Sequence, residues 1–306
     1  MNHFMKICAI TFVVFLFFKN TKIIAQPYIY SWNQLSLGVN PYPLDLRVGY
    51  HGDIQIWRNG SSDGQLYHPT RGANNTCGNC NRMYNGLFMN VGNDTYVTLS
   101  NALVGYTDYM DGGVSLVTGS GTIADPWRIA AEFYDVSDTY GFQVAYLYVD
   151  GNEYFEVELT PVVSATNTQV VKVYHILDTY LGSSDNGPAY TTGVAPYNII
   201  GVEAADGSVF EAFVATDDPW DRYASHFYYD LLNEPFYDKE LSNTLDYDPT
   251  TDNAIGVQWT LGVVTGTQPT IKYRIGFTDD ITTIVNTCGK SYINRHIGKF
   301  IKASED

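Results

Sequence analysis

Positive charge is scarce in this sequence. Over 306 residues, 17 Lys and Arg stand against 33 Asp and Glu, a formal net charge of −16. Affinity for a phosphate backbone comes from clustered Lys and Arg that release counterions, so the shortage excludes nucleic acid as a partner. Catalytic signatures are missing as well. There is no Gly-x-Ser-x-Gly elbow, no His-Glu-x-x-His, no P-loop and no Gly-x-Gly-x-x-Gly opening a helix. Serine-hydrolase, zincin, NTPase and dinucleotide chemistries therefore lack support. Cysteines number only four. Cys77-Gly78-Asn79-Cys80 is expected to close a small disulfide loop, with reduced thiols as the alternative; a zinc knuckle would need two more ligands at short spacing, and none follows. A long membrane-spanning run is lacking too: the apolar stretch from Ile7 to Phe18 is stopped by Lys19, short of the roughly 20 residues a spanning helix needs.

That interrupted stretch has another use. Lys6 before it and Ala25 near its exit complete the pattern of a secretory signal over residues 1–26. The expectation is an exported protein, extracellular or at the cell surface, with no evident membrane attachment. At the other end, Lys290, Arg295, Lys299 and Lys302 make residues 289–306 a basic tail. The spacing of Ile293, Ile297, Phe300 and Ile301 allows an amphipathic helix there, but a frayed or disordered end is the expectation. Between them, 45% hydrophobic and 15% aromatic residues give ample material for a core and exclude a disordered body.

The body reads as antiparallel β-structure. Strand-like segments rich in Val, Ile, Tyr and Phe recur, separated by Gly, Asn and Asp. Phe142–Val149 and Glu153–Val162 flank Asp150-Gly151, the dipeptide of a type I′ hairpin turn. Glu156 and Glu158 alternate with Phe155, Val157 and Leu159, which gives that strand one wet and one buried face. Ala205–Ser208 promises a second tight turn. The spacing of Trp220, Tyr223, Ala224, Phe227, Tyr228 and Leu231 predicts one short helical segment near 219–232, capped by Asp217 or Asp218 and ended by Asn233 and Pro235. About a dozen strands without crossover helices imply an all-β protein, one large antiparallel β-sandwich over residues 27–288. Two smaller sandwiches joined near Asp125–Pro126 are the alternative.

Four strings carry a resemblance: Gly119-Ser120-Gly121-Thr122-Ile123-Ala124-Asp125-Pro126-Trp127-Arg128-Ile129, Val173 to Pro188, Pro219-Trp220-Asp221-Arg222-Tyr223, and Asp252-Asn253-Ala254-Ile255-Gly256-Val257-Gln258-Trp259. With Gly64-Gln65-Leu66-Tyr67-His68-Pro69 upstream, the chain resembles secreted bacterial surface or adhesin-like β domains. The resemblance implies a large sandwich of the galactose-mutarotase-like supersandwich kind, displayed outside the cell. None of these strings is a catalytic motif.

Three sets of side chains are candidates for chemistry. His175, with Glu203 or Glu211, could act as a general acid and base on a sugar ring. Asp178, three residues on from His175, falls on the opposite face of an extended strand, where it would more simply cap a turn. Carboxylates crowd three turns, at Asp178, Asp185 and Asn186, at Asp217, Asp218 and Asp221, and at Asp246, Asp248, Asp252 and Asn253. Hard oxygen donors on loops suit Ca²⁺, and Asp246, Asp248, Asp252 and Asn253 are the expected ligands, although the central Gly and closing Glu of an EF-hand are absent. Asp also caps turns constantly, which is the simpler reading. Tyr174, Tyr180, Trp220, Tyr228 and Tyr229 could offer stacking surface for glycans, although strands use Tyr freely for packing.

Together these features lead to the expectation of a non-catalytic binding or adhesion protein, calcium-stabilised, whose partner is a glycan, matrix or surface protein. The alternative is a carbohydrate-active enzyme, a mutarotase-like epimerase or a lyase, using His175 with a carboxylate.

Overall fold

Burial alternates residue by residue along Trp127–Tyr134 and Tyr154–Val163, where one face of each extended segment is apolar and the other polar. That two-faced pattern is what stacks the chain into sheets. A computed structural model describes residues 33–36, 44–48, 54–58, 66, 85–97, 106–108, 110–182, 184–192, 198–216 and 218–279. All belong to one unit, Ser31–Asp306. The expected signal segment, the Cys77–Cys80 loop, Asp217 and the basic tail lie outside the described residues.

A small sheet comes first, from β1 (Asn33–Ser36), β2 (Leu44–Val48) and β3 (Ile54–Arg58) in that order. Two large sheets follow. A six-stranded sheet contains β4 (Asn85–Val91), β5 (Asp94–Val97) and β6 (Tyr106–Asp108), and a nine-stranded one β7 (Met110–Val114), β8 (Trp127–Tyr134), β9 (Gly141–Tyr148) and β10 (Tyr154–Val163). The chain returns to the first with β11 (Val170–Asp178), then to the second with β12 (Ala189–Thr192), β13 (Ile199–Glu203) and β14 (Phe210–Ala215). β15 (Arg222–Phe227) leads into the one helix, α1 (Tyr228–Tyr237). Last come β16 (Asn253–Val263), β17 (Gly266–Thr267) and β18 (Ile271–Thr278). The six-stranded order is β15-β16-β11-β4-β5-β6; the nine-stranded order is β12-β13-β14-β18-β10-β9-β8-β7, with β17 beside β10. Apart from the parallel β5–β6 pair, the ladders are antiparallel.

The fold is therefore the all-β sandwich that the sequence implied. Its main core holds Val173, Leu177 and Val257 of one sheet against Phe155, Phe213, Tyr273 and Phe277 of the other. On β10 the expected alternation is present: Phe155, Val157 and Leu159 are buried, while Glu156 and Glu158 pair with Arg274 and Lys272 across β18, each at 2.6 Å. Asp125 and Pro126 lie in the β7–β8 connection within one sheet, so no boundary between two sandwiches falls there.

Three local expectations need correction. The β9–β10 hairpin is not a two-residue turn: residues 149–153 separate the strands, and of Asp150 and Gly151 only Gly151 takes a positive φ. Asp150 is instead tied into the neighbouring connection, accepting a hydrogen bond from Trp127 Nε1 at 2.9 Å and donating its N–H to Gly121 O. The helix does not cover 219–232 either. Arg222–Phe227 is a strand, because its backbone completes the edge of β16, and six paired residues outweigh helical spacing. Helix α1 begins only at Tyr228 and runs through Pro235 instead of ending before it. Leu231 and Leu232 hold it on the outer face of the six-stranded sheet against Tyr174, Ile176 and Ala254. Finally, Asp218 does not cap a helix; its carboxylate accepts the Lys272 N–H from β18. Among the described residues, no helix is long and apolar enough to cross a membrane.

Candidate functional site

His175 sits mid-strand on β11, facing the other sheet. It is fully buried, with Nδ1 2.6 Å from the Tyr273 hydroxyl and its ring packed on Phe213. Nothing charged offsets the burial, which drives its pKa down to about 3 and keeps the imidazole neutral. Glu211, on the inward face of β14, is fully buried too, and neither carboxylate oxygen has a hydrogen-bond partner among the described residues. Burial pushes its carboxyl well above the usual range. Glu203 is half-buried at the end of β13. A sealed imidazole and a sealed acid cannot meet a substrate, so the catalytic set expected around His175 is corrected: it is packing within the sandwich.

The aromatic candidates divide in the same way. Tyr174 is buried, its hydroxyl donating to Lys239 O at 2.7 Å and accepting from Asn90 Nδ2 at 2.8 Å. Trp220 is also buried in the main core. Neither can stack on a glycan: Tyr174 is covered by α1 on the outer face of its sheet, and Trp220, just before β15, is packed into the main core. Tyr180 and Tyr228 are half-buried and Tyr229 is exposed.

The four expected calcium ligands do not assemble as one donor set. Asp246 accepts hydrogen bonds from Asp248 N–H and the Thr251 hydroxyl. Asp248 accepts both the N–H and the hydroxyl of Thr250, and those bonds hold its carboxyl below the ordinary range. Asn253 is buried and spent on structure: Nδ2 donates to Gly187 O and Asp246 O, and Oδ1 accepts from the Ser225 hydroxyl. These are turn-building roles. Among the described residues, no group of three or more His, Cys, Asp or Glu side chains is disposed to hold a metal ion.

Only Asp252 of that set leads elsewhere. In the β11–β16 ladder Asp178 pairs with Ala254, so Asp252, two residues back, is its diagonal neighbour on the same face. Asn186 forms an isolated bridge with Asp252, and Asn253 donates its N–H to Asp185 O at 3.3 Å. One end of the six-stranded sheet thus gathers Asp178, Asp185 and Asp252 from two connections far apart in sequence. Asp178 is buried with Oδ1 unpartnered among the described residues, and its carboxyl is pushed well up, first by burial, then by Asp252, Asp185 and Glu211. Asp252 is half-buried, one oxygen likewise unpartnered; burial and then the Asp185 charge raise its pKa to about 7. A carboxyl titrating near neutrality beside another carboxylate is the arrangement that allows one acid to carry a proton while its neighbour stays charged.

Sequence reasoning had placed Asp178 and Asp185 in one loop and Asp252 in another. No spacing rule joins them; the antiparallel register of β11 and β16 brings Asp178 to Asp252, and backbone contacts of residues 252 and 253 with Asn186 and Asp185 bring in the third. Phe227, which the sequence places in a helical apolar stripe, instead ends β15 and stands exposed at the N-cap of α1.

No protein-family model and no curated protein matches this sequence. Among solved structures, the chain is similar to a bacterial glucoamylase in complex with acarbose, with 10% identity and a TM-score of 0.51 over 90% of this chain. A protein named as a kojibiose phosphorylase, from the human microbiome, aligns with 91% of the chain at 10% identity, but its TM-score of 0.35 carries no weight. This chain spans 38% of the glucoamylase and 29% of the phosphorylase. At such identities the likeness is one of fold. It nonetheless corrects the expectation of a non-catalytic adhesion protein, since the sandwich is shared with part of a protein named as a glucoamylase.

Proposed function

We propose that this chain is carbohydrate-active: an exported β-sandwich that performs acid–base chemistry at the anomeric centre of a neutral oligosaccharide. The observation that carries the reading is the convergence of Asp178, Asp185 and Asp252, with Asp252 raised to about 7 and half-accessible. Breaking or rearranging a glycosidic centre needs a proton for the departing oxygen and a carboxylate on the other side of the ring. Asp252 is suited to the first task because, near neutrality, much of it still holds its proton. Asp185 takes the second. Asp178, buried behind them, does not touch the sugar; burial keeps it protonated, so it adds no charge of its own to the site. The likeness to a glucoamylase supports the substrate class, and the amino-terminal sequence supports export.

The test follows the anomeric proton signals of maltotriose, cellotriose and chitotriose by NMR in the presence of the protein, which reads hydrolysis and anomer exchange together. Asp252→Asn is expected to lower kcat/KM by about 10²-fold or more. The wild-type rate should fall as pH rises through about 7, because a general acid works only while protonated. Unchanged anomeric signals with all three sugars, or an Asn variant as active as the wild type, would overturn the proposal.

A further inference from the structure

The start of α1 breaks a local rule. A helix N-cap is ordinarily Ser, Thr, Asp or Asn, whose side chain satisfies a free N–H of the first turn. Here the position is held by Phe227, with no side-chain cap hydrogen bond. Phe227 is not compensated by burial either, being 40% exposed. Tyr229, two residues on, is 44% exposed. Between them Tyr228 is half-buried, with its ring centroid 5.0 Å from Phe227 and 6.3 Å from Tyr229, both edge-on. Three aromatic rings are thus held in contact on a surface where folding alone would favour a small polar residue.

Their position gives this a meaning. Phe227 is the cross-strand partner of Asn253, and the Tyr228 N–H donates to Asp252 O at 3.0 Å. The rings therefore stand beside the backbone of the acid placed at the centre of the proposed chemistry. Tyr247, 57% exposed, rises from the 246–252 connection that borders the same strand end. The flanking charges are Asp230, Asp246 and Asp248, which disfavour an anionic ligand. Aromatic faces pack against the C–H faces of pyranose rings, and phenolic hydroxyls reach sugar hydroxyls, so such a cluster selects a neutral saccharide.

We infer that Phe227, Tyr228 and Tyr229 form a stacking subsite for a neutral pyranose unit of the oligosaccharide whose anomeric centre lies at Asp252. The inference rests on the carbohydrate reading above and adds the residues that position the sugar.

Its test separates the two. Saturation-transfer NMR measures binding of maltotriose, cellotriose and chitotriose to the full chain, with turnover read on the same samples. Tyr229→Ala and Phe227→Ser are each expected to weaken binding about tenfold. In Phe227→Ser the gained cap offsets the lost ring contact with Tyr228, so Tm should stay within about 2 °C of the wild type. That combination, unchanged stability with weaker sugar binding, excludes misfolding as the cause. Binding by both variants at wild-type strength overturns the subsite, whatever the activity shows, and so does absence of saturation transfer from all three sugars. Binding that depends on the aromatics without turnover keeps the subsite and sinks the acid–base reading. Turnover lost in Asp252→Asn but indifferent to the aromatics does the reverse.

Discussion

His175 and Asp252 show how position, and not residue type, decides what an ionisable group can do. The imidazole is the usual candidate for chemistry near neutrality, yet burial between two sheets lowers its pKa to about 3 and removes it from water. The aspartate, an ordinary turn residue by its sequence, is raised to about 7 by partial burial and the Asp185 charge. The shift has a consequence for stability. A carboxyl whose pKa is higher folded than unfolded adds stability that is fully present below the unfolded value, near 3.8, and is lost as pH rises through about 7. Asp178 and Glu211 shift in the same direction, while His175, whose pKa is lowered to about 3, works the other way up to about pH 6.5 and offsets part of the loss. Thermal unfolding should therefore show a Tm lower by roughly 5 °C at pH 8 than at pH 5, after discounting the exposed part of Asp252 for screening. Asp252→Asn should reduce that difference, since it removes one of the titrating groups. A Tm that rises between pH 5 and 8 contradicts the assignment.

At the scale of elements, α1 is the informative case. Its inner side holds Leu231 and Leu232 against Tyr174, Ile176 and Ala254, and Leu241 joins the same cluster. Polar contacts add to the hold: His226 Nε2 meets Glu234 Oε1 at 3.0 Å, and Lys172 Nζ reaches Glu240 Oε1 at 2.8 Å. Leu231 is fully buried, so Leu231→Ala should destabilise the protein by about 2–5 kcal/mol in urea unfolding. A loss below 1 kcal/mol would mean that the helix is held by its polar contacts. The sequence announced a helix in this region but misplaced it by several residues. Trp220, Tyr223, Ala224 and Phe227 satisfy a helical period, yet Arg222–Phe227 lies beside β16, and strand pairing satisfied its backbone first. Hydrogen bonds to a distant strand leave no mark in local spacing. On β10, by contrast, Phe155, Glu156, Val157, Glu158 and Leu159 told the truth, because period-two alternation and the side-chain environment are the same fact seen twice.

Across the whole molecule, the excess of acid dominates the electrostatics. With a net charge of −16, the folded chain repels itself, and salt screens that repulsion. Raising NaCl from about 20 to 300 mM should increase Tm by about 2 °C. A decrease would show that exposed pairs such as Arg274–Glu156 and Lys272–Glu158 outweigh the general repulsion. The sequence by itself determined the all-β class, the two-faced strands and the acidic character, because each follows from residues that are close along the chain. Only the tertiary structure decided which acids work together and which aromatics reach the surface. Asp178 and Asp252 become neighbours through the pairing of β11 with β16, Asp185 joins them through backbone contacts with residues 252 and 253, and Tyr174 and Tyr229 part company because one lies in a sheet beneath a helix and the other at that helix's open end. Register and layer packing are long-range quantities, set by the burial of whole faces, and no local pattern encodes them.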